Sequence, residues 1–388
     1  MMLTKTMRKA LILALCLAAL LFGGECRVYG AGYADEYGEF DIQAQYEASG
    51  ADRLAEALPD EALAGMERAG IDTGDVSTLT ELNPAALLQS ALSVAGEEVE
   101  APLASLGLIL TLLLLASVCK GGEHALDSSL SSSVNTVISL AVAITLVTPA
   151  VSVIEAAEDA VEASCRFSTS FSAVFVGILI ANGQSLSAAG YSSFMMGATE
   201  AASLCVKEMV LPMLRIFLAL SCISAVSDCV KIDAIIRLFE KYAKWLLSFL
   251  AVLISAALGI SGLLSASADS VSARTAKFLI SGSVPVVGGA VSDAYLSIKS
   301  GMTLLRNSVG AFGIVGVGTI FLPVIIRTAL WHIVTGIGEA LCETLGLDGV
   351  RNLMKSLSAA LSLMLGVLVF SLFLLVIGGI IVIMQRSA

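Results

Sequence analysis

Apolar segments follow one another from Leu103 to Met384 with only short polar interruptions, and this pattern alone rules out most soluble folds. The chain has 388 residues, 57% of them hydrophobic and 14% charged, with a mean hydropathy of +0.89. Ordinary soluble domains carry about 25% charged residues. A soluble core this apolar would have no polar coat. The pattern predicts an all-α fold, a polytopic membrane helix bundle of about six to eight spans.

Charge is distributed unevenly. Residues 31–100 hold sixteen Asp/Glu against Arg53 and Arg68, leaving −14, whereas residues 101–388 balance at zero. An acidic face repels phosphates, so no nucleic-acid partner is expected. The cysteines at 16, 26, 119, 165, 205, 222, 229 and 342 form no Cys-x-x-Cys pair, and His124 and His332 are the histidines. That argues against structural zinc and against a disulfide scaffold.

Residues 1–31 read as a signal peptide. Lys5, Arg8 and Lys9 precede an apolar run from Ala10 to Phe22, and small residues follow from Gly23 to Ala34. Thirteen residues are few to span a hydrocarbon layer of about 30 Å. The alternative is an uncleaved anchor helix. Glu25 stands where a small residue would precede a lipidated Cys26, which argues against a lipoprotein. Residues 32–100 then form an acidic extracytoplasmic region, either a docking arm or a weakly folded spacer. Within it Leu54, Leu58, Leu63 and Met66 recur near helical spacing, and Asp72 to Asn83 reads as a loop.

Residues 101–166 form a two-span unit, with spans at Leu103–Cys119 and Val134–Ile154. Glu155, Glu158, Asp159 and Glu162 follow as an acidic surface at helical spacing. The remainder suggests an internal duplication, with one repeat at 167–270 and another at 271–388. Leu211-Pro212-Met213-Leu214-Arg215 in span 209–226 parallels Leu322-Pro323-Val324-Ile325-Ile326-Arg327 in span 308–334. A short amphipathic segment opening with Asp233 or Asp348 follows each. A long apolar span then comes, Trp245–Ser265 or Ser358–Met384. A small-residue stretch precedes each, Phe171–Cys205 or Phe278–Gly301, read as a re-entrant or hairpin segment broken at Gly or Pro. Such duplicated halves with interrupted helices are typical of transporters and channel scaffolds. The basic loop 227–244 favours paired hairpins by the positive-inside rule, while single crossings would invert the halves.

Ionisable groups inside spans are costly and therefore functional candidates. Arg215 and Arg327 stand out, as conduit-lining groups or as partners of a carboxylate such as Glu200, Glu208 or Asp293. Snorkelling to an interface, with Trp331 as a belt residue, is the competing reading. Arg274, Lys277 and Asp293 flank the expected breaks at Pro285, Gly288 and Gly289; Pro212 and Pro323 are the other expected breaks. Gly313, Gly316 and Gly318 offer one close-packing face, and Ser255, Ala256, Ala257 and Gly259 another. No phosphate loop, Gly-x-Ser-x-Gly or His-Glu-x-x-His occurs, so neither an enzyme nor a cofactor or metal site is expected.

The run Arg274-Thr275-Ala276-Lys277-Phe278, the Pro285-Val286-Val287-Gly288 turn, Asp293 and Leu305-Arg306-Asn307-Ser308-Val309-Gly310 together resemble the stage III sporulation protein AE family. The similarity covers most of 101–388 and stops short of the acidic region. The resemblance implies a multi-pass protein of the mother-cell membrane around the engulfed forespore. It also implies partners: a secretion-type ATPase, ring-forming subunits and a forespore-side protein met in the intermembrane space. Their complex is thought to be a channel that sustains late forespore gene expression. The expected function is thus a channel or export-apparatus subunit of that complex, in contact with the lipid bilayer and open to homo-oligomerisation. A self-contained secondary transporter of small molecules is the alternative, and a purely structural anchor is the third.

Overall fold

The computed structural model describes residues 41–75, 78–79, 83–121, 128–226 and 288–384, with positions 238, 241, 245 and 248. The signal segment 1–31, Arg274, Lys277 and Pro285 lie outside the described residues. Among the described residues the secondary structure is entirely helical.

The described part of the acidic region is folded. Asp41 caps α1 (Ile42–Ala48) by accepting from the Ala44 N–H at 2.9 Å, and a 3-10 segment follows at Ala51–Ala57. Helix α2 (Asp60–Arg68) carries Asp60 and Glu61 in its first turn and Arg68 in its last, both favourable to the helix dipole. Asn83 caps α3 (Pro84–Glu98), with Pro84 supplying the preset first-turn backbone angle. Leu54, Leu58, Ala62 and Met66 are buried, and together they turn one face of this unit inward. Tyr46 is fully buried, and its hydroxyl donates to the Thr73 carbonyl at 2.8 Å. We call residues 41–98 the clasp, because they lie against the two longest helices.

Those helices are unusual in length. Helix α4 (Glu100–Gly121) has 22 residues and spans about 33 Å, close to one hydrocarbon thickness. Helix α5 (Ser128–Ala181) has 54 residues, about 81 Å. Helix α6 (Ser185–Ser203) runs through a π-helical segment at Leu204–Val210 into α7 (Leu211–Val226). Helix α8 (Gly288–Leu345) has 58 residues, about 87 Å, and α9 (Asp348–Met384) has 37, about 55 Å. Among the described residues four stretches are long and apolar enough to cross a membrane: Ala85–Val118, Val137–Ala181, Ile298–Leu345 and Gly349–Ile377.

Two glycines make the reversals. Gly183 (φ +74°) joins α5 to α6, and Gly346 (φ +68°) joins α8 to α9, a backbone region costly for other residues. The expected hairpin inside Phe171–Cys205 therefore forms at Asn182-Gly183. No matching reversal appears in the described part of 278–301, where α8 runs unbroken from Gly288.

The prolines break less than the sequence suggested. Pro323 sits inside α8 and the helix continues through it. Pro149, not expected as a feature, sits likewise inside α5. Each removes one donor and crowds the carbonyl four residues earlier, and packing on neighbouring helices outweighs that loss. Pro212 follows directly on the π segment, whose extra residue per turn relieves the same clash without ending the helix. Gly288 and Gly289 are helical within α8 and do not interrupt its described part.

Helices α5 and α8 run antiparallel, and their register is fixed by aromatic rings seated on glycines. A Cβ at Gly313 would lie 2.3 Å from the Phe171 ring, and one at Gly316 2.7 Å from Phe167. Phe167, Phe171, Phe175, Phe312 and Tyr191 form a continuous ring stack between α5, α6 and α8. Leu58 of the clasp reaches the far side of Gly316, and Gly65 lies against Thr319. The small residues at 313 and 316 thus let α5 and the clasp close on α8 from two sides.

Candidate functional site

Carboxylates and cations from four separate stretches meet near the middle of the long helices. Arg327 of α8 holds Glu98 of α3 in a forked pair, Nε to Oε2 at 2.6 Å and Nη2 to Oε1 at 2.5 Å. Arg215 of α7 holds Glu158 of α5 at 2.8 Å. Lys207 of the π segment pairs with Glu162, which also lies 3.6 Å from Arg166. At the clasp edge Arg68 meets Glu97 at 3.3 Å. Counting eleven residues down α8 from Gly316 places Arg327 about 16 Å along, level with Ala156 to Glu158 on α5. The pairs therefore form a charged girdle around the bundle at one height.

The girdle separates two storeys. Below it lie α4, the first half of α5, α7, the end of α8 and the start of α9. The exposed side chains of α4 and early α5 are large and aliphatic: Leu103, Leu108, Leu114, Leu115, Leu140 and Ile144. Above it lie the second half of α5, α6, the first part of α8 and the end of α9, with the clasp wrapped around α8. There the outward residues of α5 and α6 are mostly Gly, Ala, Ser and Thr.

Forked guanidinium–carboxylate pairs fix orientation as well as charge. The Glu98–Arg327 pair does this across 229 residues of sequence, fastening the clasp to α8. Both arginines of the two Leu-Pro segments thus find carboxylate partners. These are Glu98 and Glu158, not Glu200, Glu208 or Asp293 as the sequence suggested. The reason is register: the antiparallel run of α5 past α7 and α8 brings Glu158 to Arg215, and the α3–α4 junction brings Glu98 to Arg327. Asp293 lies near the upper end of the described part of α8, well above the girdle.

Some polar contacts between helices involve residues outside the expected site. Arg306 is 2% exposed, donates from Nη1 to Gln184 Oε1 at 3.1 Å and lies beside Asn307. Asn182 Nδ2 donates to the Met302 carbonyl at 2.9 Å, tying the α5–α6 turn to α8. His332 Nδ1 lies 3.3 Å from Ser358 Oγ, linking α8 to α9. Arg306 and Asn307 stood in the family-like run 305–310 with no role given to them, and Asn182 and His332 showed only as polarity inside apolar stretches. Among the described residues no three His, Cys, Asp or Glu side chains are grouped to hold a metal ion.

Burial also sets one titration. The Tyr46 hydroxyl is pushed up to about 12, first by desolvation and then by the carboxylates of Asp52 and Asp72.

Described residues that are all helical, with four membrane-length apolar stretches among them and paired charges at mid-height, define a helical membrane protein. The chain belongs to the stage III sporulation protein AE family, whose model matches residues 74–387. It is also 26% identical over 137 residues to the stage III sporulation protein AE of Bacillus subtilis strain 168, covering 35% of this chain and 34% of that protein. The match therefore spans about a third of the relative's length. No solved structure matches. The family match begins at residue 74 and so takes in α3 and Glu98, where the sequence reading found no pattern before residue 101.

Proposed function

We propose that this protein is a membrane-embedded channel or export-apparatus subunit of the sporulation complex that links mother cell and forespore. The family match supports a role in sporulation. The observation that carries the finer reading is length. Helices of about 81 and 87 Å exceed a hydrocarbon layer of about 30 Å by more than twofold. The collar of large aliphatic side chains on α4 and early α5 suits the lower storey to lipid. The girdle sits at the membrane surface, where paired charges keep access to water. The upper storey and clasp stand off the mother-cell membrane into the intermembrane space, about 40 Å high by the length of α5 above Glu155. That height suits contact with a forespore-side partner, while the secretion-type ATPase works from the cytoplasmic face. The division into two membrane repeats, with six to eight spans in all, belongs to this reading. So does the signal peptide that exports residues 32–100.

The test is photo-crosslinking in sporulating cells, with a crosslinker placed at exposed Glu67 of the clasp. The expected product joins this chain to the forespore-side partner and disappears when that partner is deleted. A fully inserted chain that gives no such product would contradict the reading. The secondary-transporter alternative draws on the two Leu-Pro-…-Arg segments, each ending in an ion pair at one height. It predicts that late forespore gene expression survives loss of the ATPase, and the channel reading predicts that it does not.

A further inference from the structure

The upper storey carries an outward face with an ordered pattern. On α5 the exposed positions Thr169, Ala173, Gly177 and Ala181 recur at every fourth residue. On α6 the exposed positions Ser185, Ala189, Ser193 and Gly197 do the same. The two rows are placed symmetrically about Gly183, so each residue of one row stands level with one of the other. The register is confirmed by two contacts: the Phe175 and Tyr191 rings are 5.1 Å apart, and Cys165 Sγ lies 3.5 Å from the Thr199 carbonyl oxygen. A Cβ added at Gly177 or Gly197 would meet nothing within 4 Å. Met196, at 75% exposed, and Ile180 and Leu186 flank the rows.

Rows of small residues let helices approach closely, and water gains nothing from a face so free of charge. Charge returns at the lower edge of the face and returns in complementary form. Arg166 on α5 is 72% exposed at its side chain, and Glu200 on α6 is exposed and makes no ion pair within the described chain. They too stand symmetrically about Gly183, seventeen residues to either side.

We infer that the α5–α6 face is the contact between two copies of this chain, related by a two-fold axis parallel to the helices. Such an axis keeps both copies upright in one membrane and sets α5 of each against α6 of the other. In an isologous contact residue i meets j and j meets i. Thr169 then faces the partner's Gly197, Ala173 the partner's Ser193, and Gly177 the partner's Ala189. Arg166 of each copy meets the partner's Glu200, giving two ion pairs at the base. A two-fold axis in the membrane plane would bring neither pair together, and a head-to-tail contact would make one pair at each interface rather than two. The inference does not depend on whether the chain conducts anything.

The test is the mass of the full chain in mild detergent, by light scattering, against the 40.0 kDa of one copy. The unsubstituted chain should have twice that mass; a monomer would overturn the proposal. Gly177→Leu has room within its own chain, so it should keep the melting temperature and weaken association at least tenfold. Arg166→Glu alone should weaken it similarly, and Arg166→Glu with Glu200→Arg should restore it. A dimer, or any larger assembly, that keeps its mass in both Gly177→Leu and Arg166→Glu places the contact elsewhere and sinks the assignment.

Discussion

Glycines 316 and 177 lie in the same bundle and have opposite surroundings. Gly316 is wedged between Phe167 and Leu58, while Gly177 faces open space. The first sits where α5 and the clasp close on α8; the second sits on the outer face of the hairpin. The same residue type thus serves packing within the chain in one place and presents a bare surface in the other. The storeys differ in the same way. The lower one shows large aliphatic side chains outward, as lipid contact requires. In the upper one the α5–α6 hairpin shows mostly small residues outward and keeps Phe167, Phe171, Phe175 and Tyr191 inside.

The largest expected effect comes from filling Gly316. Gly316→Leu forces the Phe167 ring aside and should cost about 3 kcal/mol or more, read as a lowered thermal midpoint in detergent. Gly177→Leu should leave that midpoint unchanged, and equal losses at both sites would break the contrast. Next is the fastening of the clasp. Arg327→Ala leaves Glu98 partly buried without its partner, which should cost about 2 kcal/mol after allowing for the pair's partial exposure. Proteolysis should then cut residues 41–98 faster while the membrane helices stay intact. A clasp as resistant as before would show that apolar contact alone holds it.

Tyr46 gives a smaller effect with a defined pH window. Its folded value, about 12, lies above the unfolded value of 10.0. The unfolded chain therefore loses its proton first as pH rises. The stabilisation is complete below pH 10.0 and is lost as pH climbs toward about 12. Tyr46→Phe should cost about 1 kcal/mol at neutral pH and flatten that alkaline decline, followed by urea unfolding across the window. Smallest is Arg68→Ala. Its pair with Glu97 is exposed on both sides, so the change should stay within about 0.5 kcal/mol.

Several features were legible in the sequence. The apolar spans after Leu103 and Val134 fall inside α4 and α5, and the turn at Asn182-Gly183 is where small residues and Gly announced a reversal. The continuity of α5 was not legible. Glu155, Glu158, Asp159 and Glu162 looked like the end of a span, yet their spacing is that of a continuing helix, and the girdle uses it. Pro323 looked like a break because local rules count one lost donor and not the packing along the whole helix. The partner of Arg327 could not be read at all, because Glu98 is 229 residues away and only the folded register joins them.

The central claim is that lipid covers one storey and water the other, and a single helix can test it. Ile298 and Ile333 both lie exposed on α8, at 54% and 46%, about 52 Å apart along the helix. Each would be replaced by cysteine in a cysteine-less chain and treated in intact cells with a membrane-impermeant maleimide. The account predicts labelling at Ile298→Cys and protection at Ile333→Cys. Protection at Ile298→Cys with labelling at Ile333→Cys would put the bilayer around the wrong storey and contradict the account.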